Sequence, residues 1–114
     1  IIRGYLASHA DCQTMLIDHG ALTSQMENFL KAAGVGPDEI FVGGFSLSPA
    51  TAIESGYVDL VSDMQPYLLG YLSVAQLVLT KKYGFTGLEI DTGGGLVHKG
   101  NIALVTPLAQ KGIR

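Results

Sequence analysis

Tryptophan is absent from the chain, cysteine occurs once, and charge is sparse: 15% of the 114 residues are Asp, Glu, Lys or Arg, against about 25% in an average soluble domain. With Cys12 alone, no internal disulfide can form, and the residue says nothing about compartment because a lone thiol usually packs as a small hydrophobe. Seven basic residues and a net charge of −3 leave no patch able to neutralise a run of phosphates, so no nucleic-acid partner is expected. His9, His19 and His98 are scattered, without metal-ligand spacing or a cysteine beside them, and neither a metal nor another cofactor is expected. No basic segment followed by an apolar run opens the chain, which begins at Ile1, so no signal peptide is expected in it; the missing initiator Met suggests a processed product or a piece of something longer. The greasiest stretch, residues 66–79, is interrupted by Gln76 and falls short of the ~18 apolar residues of a spanning helix. It reads as a core or interface helix.

What the chain does have is apolar content, 47% of residues, in a length that suits one domain with a modest core. Some of that apolar surface is expected to meet something other than water. Three times a short apolar run is followed by a polar or glycine-containing elbow and then a helical pattern closed by glycine. In the first, "QTMLID" ends at Asp18 and His19, and Leu22, Met26, Phe29, Leu30 and Ala33 follow at helical spacing before Gly34. In the second, "IFVGGF" is the strand, Ser48 and Pro49 supply an N-cap and first-turn proline, and Gly56 ends a short helix. In the third, "YVDLV" runs through Ser62, Asp63, Met64 and Gln65 into Pro66, which suits a first helical turn. Leu68, Tyr71, Leu72, Ala75, Val78 and Leu79 then form one broad apolar face, with Lys81 and Lys82 in the last turn and Gly84 beyond. After that the pattern weakens. "GLEIDTGGGLVHKGN" reads as one or two strands around a glycine-rich turn, and "IALVTPLAQKG" as a strand then a short helix, or a helix disturbed at Pro107.

Alternating strands and helices of this size predict an α/β, Rossmann-like fold, with a mostly parallel sheet flanked by helices and right-handed crossovers. Ligands of such sheets sit outside the carboxyl ends of the strands. That rule joins three elbows into one candidate site: Asp18 and His19, Phe45 and Ser46, and residues 62–65. Other readings are weaker. "GGFSLS" resembles the hydrolase pattern G-x-S-x-G, but Ser48 replaces the second glycine and no Asp/His pair follows at a recognisable spacing. "TGGG" at residues 92–95 lacks the Gly-Lys-Ser/Thr ending of a phosphate cradle and reads as a tight turn. Asp18 is expected to brace the helix start more than to touch ligand.

The stretch "VGGFSLSPATAIESGYVDLVSDMQPYLLGYLSVAQLVLTKKYG" resembles the distal part of the type I periplasmic solute-binding proteins of bacterial sugar ABC transporters. "LASHADCQTMLIDHGALTSQMENFLKAAG" and "IDTGGGLVHKGNI…LAQKGIR" extend the likeness to essentially the whole chain. The resemblance implies part of a protein of two α/β lobes that closes on a sugar or similar small polar solute and presents the closed form to a transporter permease, without enzymatic chemistry. It implies residues 1–65 as part of the C-terminal ligand-binding lobe, 66–87 as a lobe-crossing helix, and 88–114 as strands and a short helix completing the lobes. Ligand-binding residues would be Asp18, His19, Phe45, Ser46, Met64 and Gln65, and the hinge Asp63, Met64, Gln65 and Pro66. Location would be periplasmic or extracellular.

Three positions depart from the family's usual residues. His19 stands where Asn or Asp is common, Ser46 where an Asp is usual, and Met64 where a Gln is usual. Losing a carboxylate and an amide removes strong partners for vicinal hydroxyls, which favours a smaller or less hydroxylated solute, with Gln65 taking over the amide role if the joint is shifted by one residue. Alone, the chain is expected to bind weakly or not at all, and its exposed faces to favour a homodimer. The alternative is the effector-sensing lobe of a transcription repressor or receptor, which would need a helix-turn-helix that these residues lack; a small α/β hydrolase is a third.

Overall fold

Hydrophobic runs of three to five residues pair into a four-stranded sheet in the computed structural model, which describes residues 1–45 and 50–113. The strands are β1 (Thr14–Leu16), β2 (Phe41–Phe45), β3 (Leu60–Asp63) and β4 (Gly95–His98), lying side by side in that order. β1, β2 and β3 run parallel, with Leu16 beside Gly43 and Gly43 beside Leu60. β4 pairs antiparallel with β3, from Leu60 opposite His98 to Asp63 opposite Gly95. The expected α/β sheet is thus present, closed on one side by an antiparallel edge.

The helices differ from the sequence pattern in two places. The first is α1 (Ile2–Ser8), which the pattern did not single out; Ile2 and Leu6 pack against the core. Second, the helix after Asp18 is split into α2 (Gly20–Thr23) and α3 (Met26–Ala33). At the break Ser24 Oγ donates to the Ala21 carbonyl at 2.8 Å, the acceptor that the Gln25 N–H would take in a continuous helix, and that N–H turns to the Leu22 carbonyl at 3.0 Å instead. Beyond α4 (Ala50–Glu54) and α5 (Pro66–Tyr83), the C-terminal segment takes the second of its two expected forms, one helix, α6 (Ile102–Gln110), with Pro107 inside it. Ile102 and Val105 drive it into the core, one turn apart, ahead of the proline. As expected, Gly34 and Gly84 end their helices in the left-handed conformation, and Pro66 opens α5.

Strand alternation divides the sheet into unlike faces. Val42, Val61 and Val97 point to one side and are buried with Met26 and Leu30 of α3, Ile53 of α4 and Ile102 of α6. Phe41, Phe45 and Leu96 point to the other and are exposed, as is Leu16 at 77%. Parallel sheets are normally covered on both faces, so this one has a bare apolar side. α5 is bare as well: none of its 18 residues is buried. Residues 84–90 return alongside it, with the Leu88 N–H donating to Gln76 Oε1. The result is an elongated molecule of 59 × 26 × 19 Å. Its radius of gyration is 17.6 Å, against about 13 Å for a compact domain of this length. The accessible surface, 7515 Å², exceeds by about 1,500 Å² that of a compact monomer of this mass.

Candidate ligand-binding site

Because β1, β2 and β3 are parallel and adjacent, their carboxyl ends open onto one edge of the sheet. Strands pack about 4.8 Å apart, so β1 and β3 run about 10 Å apart on either side of β2, and because Leu16 stands level with Gly43 and Leu60, β3 reaches past the end of β1 by three residues, to Asp63. The chain leaves that edge through Asp18 and His19 after β1, beyond Phe45 after β2, and through Met64 and Gln65 after β3. Ser46, and with it the expected N-cap at Ser48 and Pro49, lies outside the described residues.

His19 is held by its backbone. Its carbonyl accepts from the N–H groups of Leu22 and Thr23, at 3.1 and 2.9 Å, as well as from the Thr23 hydroxyl. As N-cap of α2 it makes no side-chain capping bond, and its exposed imidazole is left facing solvent. Asp18 does not cap this helix either; it is exposed, and the residue borders a shallow cavity of about 380 Å³ with Leu16, Gly43, Phe45, Leu60 and Ser62. The wall is almost wholly apolar, since the cavity continues onto the bare face of the sheet.

Gly44 sets how closely α2 approaches β2. A Cβ at this position would collide with the Thr23 side chain, 2.6 Å from its Oγ1, and Thr23 is fully buried. The same hydroxyl accepts from the Phe45 N–H at 3.4 Å. One threonine therefore ties the ends of β1 and β2 together through His19 and Phe45. Two glycines inside an apolar strand are the sequence signal for such a close approach.

At the third elbow Met64 is half exposed, at 52%, whereas Gln65 is engaged by the protein. Its side-chain amide donates to the Thr92 carbonyl at 3.1 Å and its backbone N–H to Asp63 Oδ1 at 3.1 Å. Its carbonyl accepts from Leu69 in the first turn of α5. Ser62 Oγ likewise donates to the Gly93 carbonyl at 2.8 Å. The "TGGG" segment thus supplies acceptors to the joint ahead of Pro66, a role carried by backbone oxygens and invisible in residue types. Among the described residues no cluster of three or more His, Cys, Asp or Glu could hold a metal ion, and no helix is long and apolar enough to cross a membrane.

Comparison with known proteins points in one direction. The chain is 34% identical over 112 residues to the xylose/arabinose-binding protein XylF of Sulfolobus acidocaldarius, a match covering 89% of this chain and 27% of that protein. It superposes with a TM-score of 0.82, at 26% identity, on a carbohydrate transporter from Acidothermus cellulolyticus solved in complex with myo-inositol, covering 99% of this chain and 40% of that one. No protein-family profile matches. The chain therefore spans about a quarter of the first relative, a sugar-binding protein, and two-fifths of the second, a carbohydrate transporter.

Proposed function

We propose that this chain, a homologue of sugar-binding proteins with the architecture of part of a type I periplasmic solute-binding protein, is a portion of the receptor of an ABC transporter and contributes one wall of a sugar site. The observation that carries the reading is the shared rim: three adjacent parallel strands point their carboxyl ends to one edge of the sheet, and Asp18, His19, Phe45 and Met64 lie at or just after those ends. Asp18 accepts from solute hydroxyls, the His19 imidazole donates or accepts, and the Phe45 ring and Met64 thioether contact the C–H faces of the sugar. Ser46 belongs to the same proposal through the resemblance.

No step requires chemistry on the solute. Closure is driven only by the solute's higher affinity for the closed arrangement, with residues 63–66 as the hinge and the closed form docking on a permease outside the cytoplasmic membrane. α5 and the sheet's bare face are surfaces that further lobes of the longer receptor cover. A titration of the ¹⁵N-labelled chain with xylose, arabinose or myo-inositol tests the rim. Weak, millimolar binding with amide shifts centred on residues 17–20, 43–45 and 62–65 is expected; shifts confined to α5 or to residues 1–12 overturn the assignment.

A further inference from the structure

The arm made of α5 and residues 84–90 is joined to the sheet by two connections, residues 63–66 leading out and 91–95 leading back. The β3–β4 ladder ends where Asp63 faces Gly95. Beside and beyond that pair the two connections remain tied by side chains: Ser62 Oγ to the Gly93 carbonyl, and the Gln65 amide to the Thr92 carbonyl. Gln65 does this from a left-handed backbone, φ 49° and ψ 61°, which residues other than glycine seldom adopt. Its N–H is held by Asp63, a residue 2% exposed, and its carbonyl starts α5. The side chain thus spans the neck of the arm through one N–H of its amide.

We propose that Gln65 and Ser62 are positioning residues that latch the two connections together, so that they bend as a pair and set the angle of the arm to the sheet. The proposal rests on the reading of residues 63–66 as a hinge. Without the latch each connection could rotate separately about the left-handed residue, and the arm would sample a wide range of angles. With it, rotation at Gln65 drags Thr92 and the glycines behind it, which have the backbone freedom to follow. The arm then swings as one body.

Spin labels on Asn28→Cys in α3 and Lys82→Cys near the end of α5, in a Cys12→Ser background diluted with unlabelled chain, report that angle as a distance distribution. Gln65→Asn keeps an amide and a residue tolerant of the left-handed region, but is too short to reach Thr92; Ser62→Ala removes the other tie; Gln65→Gly releases side chain and backbone together. The distribution is expected to broaden about twofold in Gln65→Gly and by less in the other two, with circular dichroism unchanged. Wild-type width in every folded variant overturns the latch. Should Gln65→Gly fail to fold, Gln65→Asn and Ser62→Ala decide the matter in the same way. The measurement uses no sugar, so an unchanged width removes the latch and leaves the solute rim standing, whereas sugar-induced shifts confined to α5 or to residues 1–12 remove the solute reading and leave the latch.

Discussion

Gly44→Ala is the smallest change that attacks the candidate site through its support. The added methyl would lie 2.6 Å from Thr23 Oγ1 and 3.1 Å from its Cβ, and closer still to Cγ2, whereas non-bonded carbons rest about 3.5–4.0 Å apart. Thr23 is fully buried, with its hydroxyl engaged by His19 and Phe45, so it cannot swing aside. α2 must move off β2 by roughly 1 Å, at a cost of about 1–3 kcal/mol as for other overpacked sites. Urea unfolding followed by far-ultraviolet circular dichroism, chosen because the chain has no tryptophan, should show that loss. Thr23→Ala alone should cost about 1 kcal/mol for its hydrogen bonds. In combination with Gly44→Ala it removes the worst collisions, so the double variant should lose less than the two single losses added together. Gly70→Ala on α5, where a Cβ meets nothing within 4 Å, is the control and should stabilise the helix by about 0.5–1 kcal/mol. A Gly44→Ala variant within about 0.5 kcal/mol of the parent, or strictly additive losses, would refute the argument that α2 and the His19 elbow are seated by this contact.

Two further outcomes are expected. The surplus of about 1,500 Å² of surface is larger than the roughly 800 Å² that each partner buries in a standard interface. Light scattering on the isolated chain should therefore give a mass above 12.0 kDa, and Leu77→Glu on α5 should lower it; a well-folded monomer at all concentrations would contradict this. Lys31 donates to Glu27 at 2.7 Å, and that hydrogen bond raises its pKa above 10.5. A raised pKa in the folded state means that the contribution is complete below the unfolded value and is lost as pH rises through the folded one. The stability gap between the parent and Lys31→Gln should stay constant from about pH 7 to about pH 9 and shrink as pH rises above 10.5; a gap that widens with alkalinity would show that the pair is not its source.

The elements that could be read from residue types were those with local chemistry. Gly34, Gly84 and Pro66 punctuate helices through backbone conformation that only a few residues satisfy, and they sit where expected. The rim was legible because strand ends follow from the alternation of apolar runs and elbows. The split between α2 and α3 was not, since the periodicity of Leu22, Met26 and Phe29 continues straight through the break. Apolar runs such as "IFVGGF" cannot reveal which face of a sheet is covered, so the exposure of Phe41 and Phe45 emerged only from the fold. The same holds for α5, whose apolar face is real but unpartnered. The bond of the Gln65 side chain to a carbonyl 27 residues away was not legible, because a carbonyl leaves no mark on sequence.

The central claim is that the edge carrying Asp18, His19, Phe45 and Met64 is one wall of a sugar site. Its most direct test is calorimetry on a hybrid in which this chain replaces the matching two-fifths of the myo-inositol-binding relative from Acidothermus cellulolyticus. Saturable binding of a pentose, smaller and less hydroxylated than myo-inositol, is expected, weakened about tenfold by His19→Ala, the loss of roughly one hydrogen bond, and unaffected by Lys99→Ala beyond the far end of β4. A folded hybrid that binds xylose, arabinose and myo-inositol no better than buffer, or binds equally well without the His19 imidazole, would contradict it.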